Sequence, residues 1–291
     1  MLTALLSMQI GNSFAKRLTE VMATPIGAVW VRMAFSGAIL LVVALIRHLV
    51  VRLKGVVVPV AQPKTRQAWI WAIAYGGALI AMNTMFYEAI ARIPVGIVVT
   101  IEFLGPLAVA ILGSRRPTDF IWVGLAGLGV VILGITPTPL TWVGVGLALG
   151  AGTMWACYIL LGAKVARHWQ GTGVLTGTCV GGAIVLTPFF LIGGNAASLA
   201  SGPNLGLGVL VALACTVLPY SLELLALSRL PTGLFAILES LAPAVSALAA
   251  WWLLGQVLHF GDWIAIAAVV VASLGATTSH ARLMSSGTRR Q

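Results

Sequence analysis

Long apolar runs separated by short polar breaks make up most of this chain, and the length of the runs sets the type of element. Runs near 2–18, 25–46, 68–90, 94–113, 119–136, 141–162, 173–193, 204–227, 231–254 and 261–280 each approach the roughly 20 residues a helix needs to cross a bilayer. The pattern predicts an all-α membrane protein with ten transmembrane helices, short connections and no sizeable soluble domain. The first run is the most polar, with Gln9, Asn12 and Ser13 ahead of Lys16.

The fourth run laid over the ninth reveals an internal repeat. Arg92-Ile-Pro94-Val-Gly96 opens one and Arg229-Leu-Pro231-Thr-Gly233 the other; at the same offset Glu102 falls on Glu239, Pro106 on Pro243 and Ala110 on Ala247. After a small shift Trp122 and Gly134 fall on Trp263 and Gly275, and Ala15-Lys16 matches Ala163-Lys164. The repeat unit is therefore five spans, 1–138 and 139–291. An odd number of spans inverts the second copy in the membrane, an arrangement typical of secondary transporters with a site where the halves meet.

Composition strengthens this reading: 59% of residues are hydrophobic, only 8% are charged, and mean hydropathy is +1.03. The net charge of +10 does not indicate nucleic acid, because the Lys and Arg residues lie mostly in the gaps between apolar runs, where they set topology. With the N-terminus inside, one face collects Arg47, Arg52, Lys54, Lys64, Arg66, Arg115, Arg116, Lys164, Arg167, Arg229, Arg282, Arg289 and Arg290, against Lys16, Arg17 and Arg92 on the other. Both termini are expected in the cytoplasm, with the first span acting as its own targeting signal. Cys157, Cys179 and Cys215 lie within apolar runs without metal or redox spacing. No signature of nucleotide, metal or hydrolytic chemistry occurs, so no enzyme activity, cofactor or metal is expected.

The chemistry that remains is carried by polar groups inside the spans. Glu102 and Glu239 sit eight residues past Pro94 and Pro231, about 12 Å into their helices. An ionised carboxylate at that depth needs a basic partner or water. The pair fits a proton-coupling or amine-binding site, and equally a structural hydrogen bond beside Pro106 and Pro243. Arg32 stands alone in the second span; a substrate carboxylate or a glutamate would satisfy it, as would snorkelling or a permanent ion pair. Asn83, Tyr220 in Leu218-Pro219-Tyr220-Ser221, and Glu223 add polar groups on further spans. Gly173-xxx-Gly177-xxx-Gly181 and Gly146-xxx-Gly150 are expected to pack helices together, and Trp69, Trp71, Trp122, Trp142 and Trp263 to anchor at the membrane interfaces.

Glu102-Phe-Leu-Gly-Pro-Leu-Ala-Val-Ala110, Ser114-Arg-Arg-Pro-Thr-Asp-Phe120 and the segment from Leu218 to Thr232 resemble the EamA-type drug/metabolite transporters, especially their branch of the threonine/homoserine-exporting type. The resemblance covers nearly the whole chain and departs at the N-terminus and in the loop at 47–67. It implies a bacterial inner-membrane exporter of small hydrophilic amino acids, driven by protons. It further implies ten helices around a central cavity, with spans one to four and six to nine lining it. Arg32, Asn83, Glu102, Tyr220, Glu223 and Glu239 all lie on such spans. The expected partners are an amino acid, protons and the lipid bilayer, with the protein a monomer. An exporter of another small metabolite or amphipathic drug is the alternative within transporters, and a non-transporting scaffold or sensor is the alternative outside them.

Overall fold

In a computed structural model the described residues are 2–53, 65–112, 119–135, 140–165, 167–169, 173–227 and 239–287, and those in regular elements are helical. The helices are α1 (Leu2–Val21), α2 (Pro25–Leu53), α3 (Arg66–Ile90), α4 (Val95–Glu102), α5 (Leu104–Leu112), α6 (Asp119–Ile135) and α7 (Trp142–Val165). They continue with α8 (Gly173–Ile192), α9 (Asn195–Leu199), α10 (Gly202–Ala212), a π-helical turn (Leu213–Val217), α11 (Leu218–Leu227), α12 (Ala242–Leu254) and α13 (Phe260–Gly287). Among the described residues five segments are long and apolar enough to cross a membrane: α2, α3, α7, α8 and the stretch Gly202–Leu222. The protein is thus a multi-pass helical membrane protein.

The fourth apolar run is broken. Pro106 has no N–H to give the carbonyl of Glu102 four residues earlier, and the helix breaks at Phe103 between α4 and α5. Pro243 stands in the same relation to Glu239, which precedes turn residues Ser240 and Leu241 ahead of α12. The ninth run reaches the described residues only from Glu239 onward, so Pro231 lies outside them. The eighth run is continuous but changes winding at the π turn. The short helix α9 was not expected from the pattern, and α2 and α13 run past the expected ends to Leu53 and Gly287.

The main pairings are α3 on α7, α6 on α13, α2 on α8, α4 on α12 and α7, and α1 on α10, α11 and α12. Their core is continuous through Tyr87, Ile90, Ile97, Ile101, Val29 and Val31, all almost completely buried. Of the two glycine stripes only Gly150 packs as the sequence suggested, since a side chain there would run into Met85 Sδ. Gly146, Gly173, Gly177 and Gly181 meet no neighbour where a side chain would stand. The closest helix approach uses Gly105 and Gly152 instead: a methyl group on Gly152 would stand 2.6 Å from the Glu102 carbonyl oxygen, and one on Gly105 would overlap the Gly152 carbonyl. The helix break frees a carbonyl, and bare glycine backbone is what lets α7 come against it. Gly152→Ala is accordingly expected to lower stability by about 1–3 kcal/mol, read as an earlier thermal unfolding midpoint in detergent. An unchanged midpoint would mean that this contact is loose.

Trp122 is also more than an interfacial anchor. Its ring lies where a side chain on Gly275 would stand, and its Nε1 is buried without a hydrogen-bond partner among the described residues. Trp69 does fit an edge position, packed edge-on against Trp169, whose Nε1 donates to the Ala68 carbonyl at 3.1 Å. Trp71 carries the Lys164 ammonium 4.0 Å from its ring centroid.

Candidate functional site

The π turn organises the polar centre. Pro219 has no N–H for the carbonyl of Cys215 four residues before it. The winding widens across Leu213–Val217, where the Leu218 N–H reaches back to the Leu213 carbonyl. Wide turns of this kind leave backbone groups looking for partners and recur at functional sites. Side chains from the first two helices supply them. Ser7 Oγ donates to the Ala214 carbonyl at 3.0 Å, Ser36 Oγ more weakly to Ala212 at 3.5 Å, and Arg32 Nη2 to Cys215 at 2.8 Å.

Arg32 is 3% exposed. Its Nε donates to Thr216 Oγ1 at 3.1 Å, and its guanidinium carbon lies 6.0 Å from the centre of the Tyr87 ring. Neither snorkelling nor a permanent ion pair describes it, since its hydrogen-bonded partners are a neutral carbonyl and a hydroxyl. The ion pairs within bonding distance among the described residues are Lys16–Glu20 and Glu88–Arg92, each one helical turn apart. The Tyr87 side chain lies beside the rest of the guanidinium and interacts with it. The structure therefore holds a buried, fixed cation whose hydrogen-bonded partners carry no charge.

The other candidates fall around it unequally. Glu102 is buried, 7% exposed, and within electrostatic reach of Arg32. Cys179, Cys215 and Tyr220 are coupled to the same charge. Asn83 is buried, with its Nδ2 spent on the Leu79 carbonyl of its own helix at 2.8 Å. Glu239, the repeat partner of Glu102, is only half-buried, so equivalent sequence positions have different surroundings. The Glu223 side chain lies outside the described residues.

Sequence reasoning passed over several groups the fold brings here. Tyr87 is fully buried and in electrostatic contact with Arg32, while its hydroxyl lacks a partner of standard hydrogen-bond geometry. On α1, Gln9, Asn12 and Ser13 are buried. Asn12 Nδ2 donates to Gln9 Oε1 at 3.0 Å, and Cys215 Sγ lies 3.9 Å from Asn12 Oδ1. The available signal was the spacing of those three polar residues on one helical face, together with Pro219 four residues beyond Cys215.

A membrane body with a buried, charged centre defines a class of multi-pass helical membrane protein with polar groups in its core. A model of the EamA-like transporter family matches residues 142–278. The Threonine/homoserine exporter RhtA of Salmonella typhimurium strain LT2 is 37% identical over 97% of this chain and 91% of its own length; that of Escherichia coli K12 is 37% identical over 95% and 90%. The chain belongs to the EamA-like transporter family. An uncharacterised transporter of Bacillus subtilis, YwfM, is 24% identical over 71% of the chain. A solved crystal structure superposes with a TM-score of 0.64 at 19% identity, covering 97% of this chain and 98% of that one. These named relatives are transporters and not enzymes.

Proposed function

We propose that this protein is a secondary active exporter of small amino acids of the threonine/homoserine type, working by proton antiport and alternating access in a bacterial inner membrane. The observation that carries the reading is the near full-length likeness to exporters of that kind. The site supports it. A zwitterion needs a fixed cation for its carboxylate and an acceptor for its ammonium group, and buried Arg32 within electrostatic reach of buried Glu102 offers both. Glu102 is also the group suited to exchange a proton for cargo, with Glu239 as its second-half counterpart and Asn83, Tyr220 and Glu223 as further contacts.

The proposed architecture is ten spans in two inverted halves, 1–138 and 139–291, with both termini cytoplasmic. Helix pairing favours it: exchanging the halves maps α2 with α8, α4 with α12 and α6 with α13 onto themselves, and α3 with α7 onto α10/α11 with α1. Trp122 packed on Gly275 supports the reading, because the repeat carries a Trp and a Gly at matching positions of each half.

The test is uptake of labelled threonine and homoserine into inside-out vesicles, with and without an imposed pH gradient. Saturable uptake stimulated by the gradient is expected. Absence of saturable uptake of either amino acid would remove the substrate assignment.

A further inference from the structure

We propose that the Gln9, Asn12 and Ser13 face of α1 reads the side-chain hydroxyl of the transported amino acid and so sets specificity. This rests on the exporter reading above. These residues recur at helical spacing, so they share one face, and all three are buried in a helix whose neighbours are apolar spans. Buried polar groups are normally satisfied, yet this set is not. Ser13 Oγ is 1% exposed at the residue level and has no hydrogen-bond partner among the described residues. Gln9 accepts from Asn12, which locks the orientation of its amide, and its own Nε2 makes no hydrogen bond among the described residues. A spare hydroxyl and a spare amide donor thus stand on one buried face.

That face adjoins the charged centre. Asn12 Oδ1 meets Cys215 Sγ, and the carbonyl of the same residue holds Arg32. A side chain on Gly11 would run into the Cys215 sulfur and the Ala214 backbone, so α1 lies directly on the π turn. The division of labour follows from charge. Arg32, with Tyr87 against it, suits a carboxylate. Glu102 and the Asn83 carbonyl oxygen suit an ammonium group. Neutral groups compete poorly with ions for charged ends, so the spare donors on α1 are left for the third polar group of the cargo. In threonine or homoserine that group is a neutral hydroxyl. A polar pocket that binds a hydroxyl discriminates against the isosteric analogue lacking one, because its own groups would then stay unpaired.

The experiment is competition for labelled threonine uptake in proteoliposomes, comparing threonine with valine and homoserine with norvaline. Wild-type protein is expected to prefer the hydroxylated member of each pair. In Gln9→Met, which keeps length and removes the amide, that preference should fall roughly tenfold, with the maximal rate for threonine much less affected. Ser13→Ala, a single-atom deletion, should lower it in the same direction and serves if Gln9→Met does not fold. An undiminished preference in a folded variant of either kind overturns the assignment of α1 while leaving the exporter reading intact. Wild-type protein that carries no hydroxylated amino acid overturns both.

Discussion

Arg32→Met is expected to lower threonine transport by about a hundredfold or more, the size of effect that follows from losing a pair of charge-assisted hydrogen bonds. Arg32→Lys should be nearly as poor, because one compact ammonium on a flexible stem cannot reproduce the fixed planar spacing with which Nε meets Thr216 Oγ1 and Nη2 meets the Cys215 carbonyl. A structural cost accompanies the change. Without Arg32 the Cys215 carbonyl, already deprived of a helical donor by Pro219, is left unpaired at about 1–3 kcal/mol. The two effects separate in the double variant Arg32→Met/Pro219→Ala, which restores a backbone N–H four residues after Cys215. Its melting temperature should recover towards wild type while transport stays lost. Recovery of transport along with stability would reduce Arg32 to a backbone brace.

The second large effect is expected at Glu102. If its carboxyl carries the coupled proton, Glu102→Gln keeps shape and burial but holds no exchangeable charge. A gradient of one pH unit supports about a tenfold concentration ratio for one coupled proton, and the variant should lose that dependence, leaving only exchange of labelled for unlabelled amino acid. Glu239→Gln should retain more of it, since Glu239 is half-buried whereas Glu102 is buried and in the field of Arg32. Both variants behaving like wild type in uptake against a gradient would place the proton elsewhere.

Most of the helices were readable from the chain because a lipid-facing helix writes its length in apolar residues. The helix breaks were less readable. Pro106 and Pro243 were visible, but the consequence lies in carbonyls four residues upstream, Glu102 and Glu239, and only packing decides what meets them. The glycines show the same limit: spacing drew attention to Gly173, Gly177 and Gly181, which meet nothing, while Gly105 and Gly152 sit at the tightest contact without any repeat to mark them. At the site, Arg32 stood out because a lone cation in an apolar run is costly. Its partners did not, because Thr216 and the Cys215 carbonyl are more than 180 residues away in the chain. Gln9, Asn12 and Ser13 read only as a weakness of the first span until α1 was seen packed against the π turn.

If the chain arose by the proposed duplication, the π turn bears on how its halves came to differ. A π turn accommodates one residue more than an α turn over nearly the same rise, which is how a helix absorbs a single-codon insertion without shifting both of its ends. Such a change in one copy of a duplicated unit rotates everything downstream of it relative to the other copy. An amino-acid cargo of the proposed kind is chiral and has distinct charged ends, so two identical halves would be poorly suited to hold it. Under the proposed duplication, the π turn in the eighth run, whose counterpart α3 is an unbroken α-helix, gives the halves different faces and leaves in one of them the buried Cys215 carbonyl to which Arg32 donates.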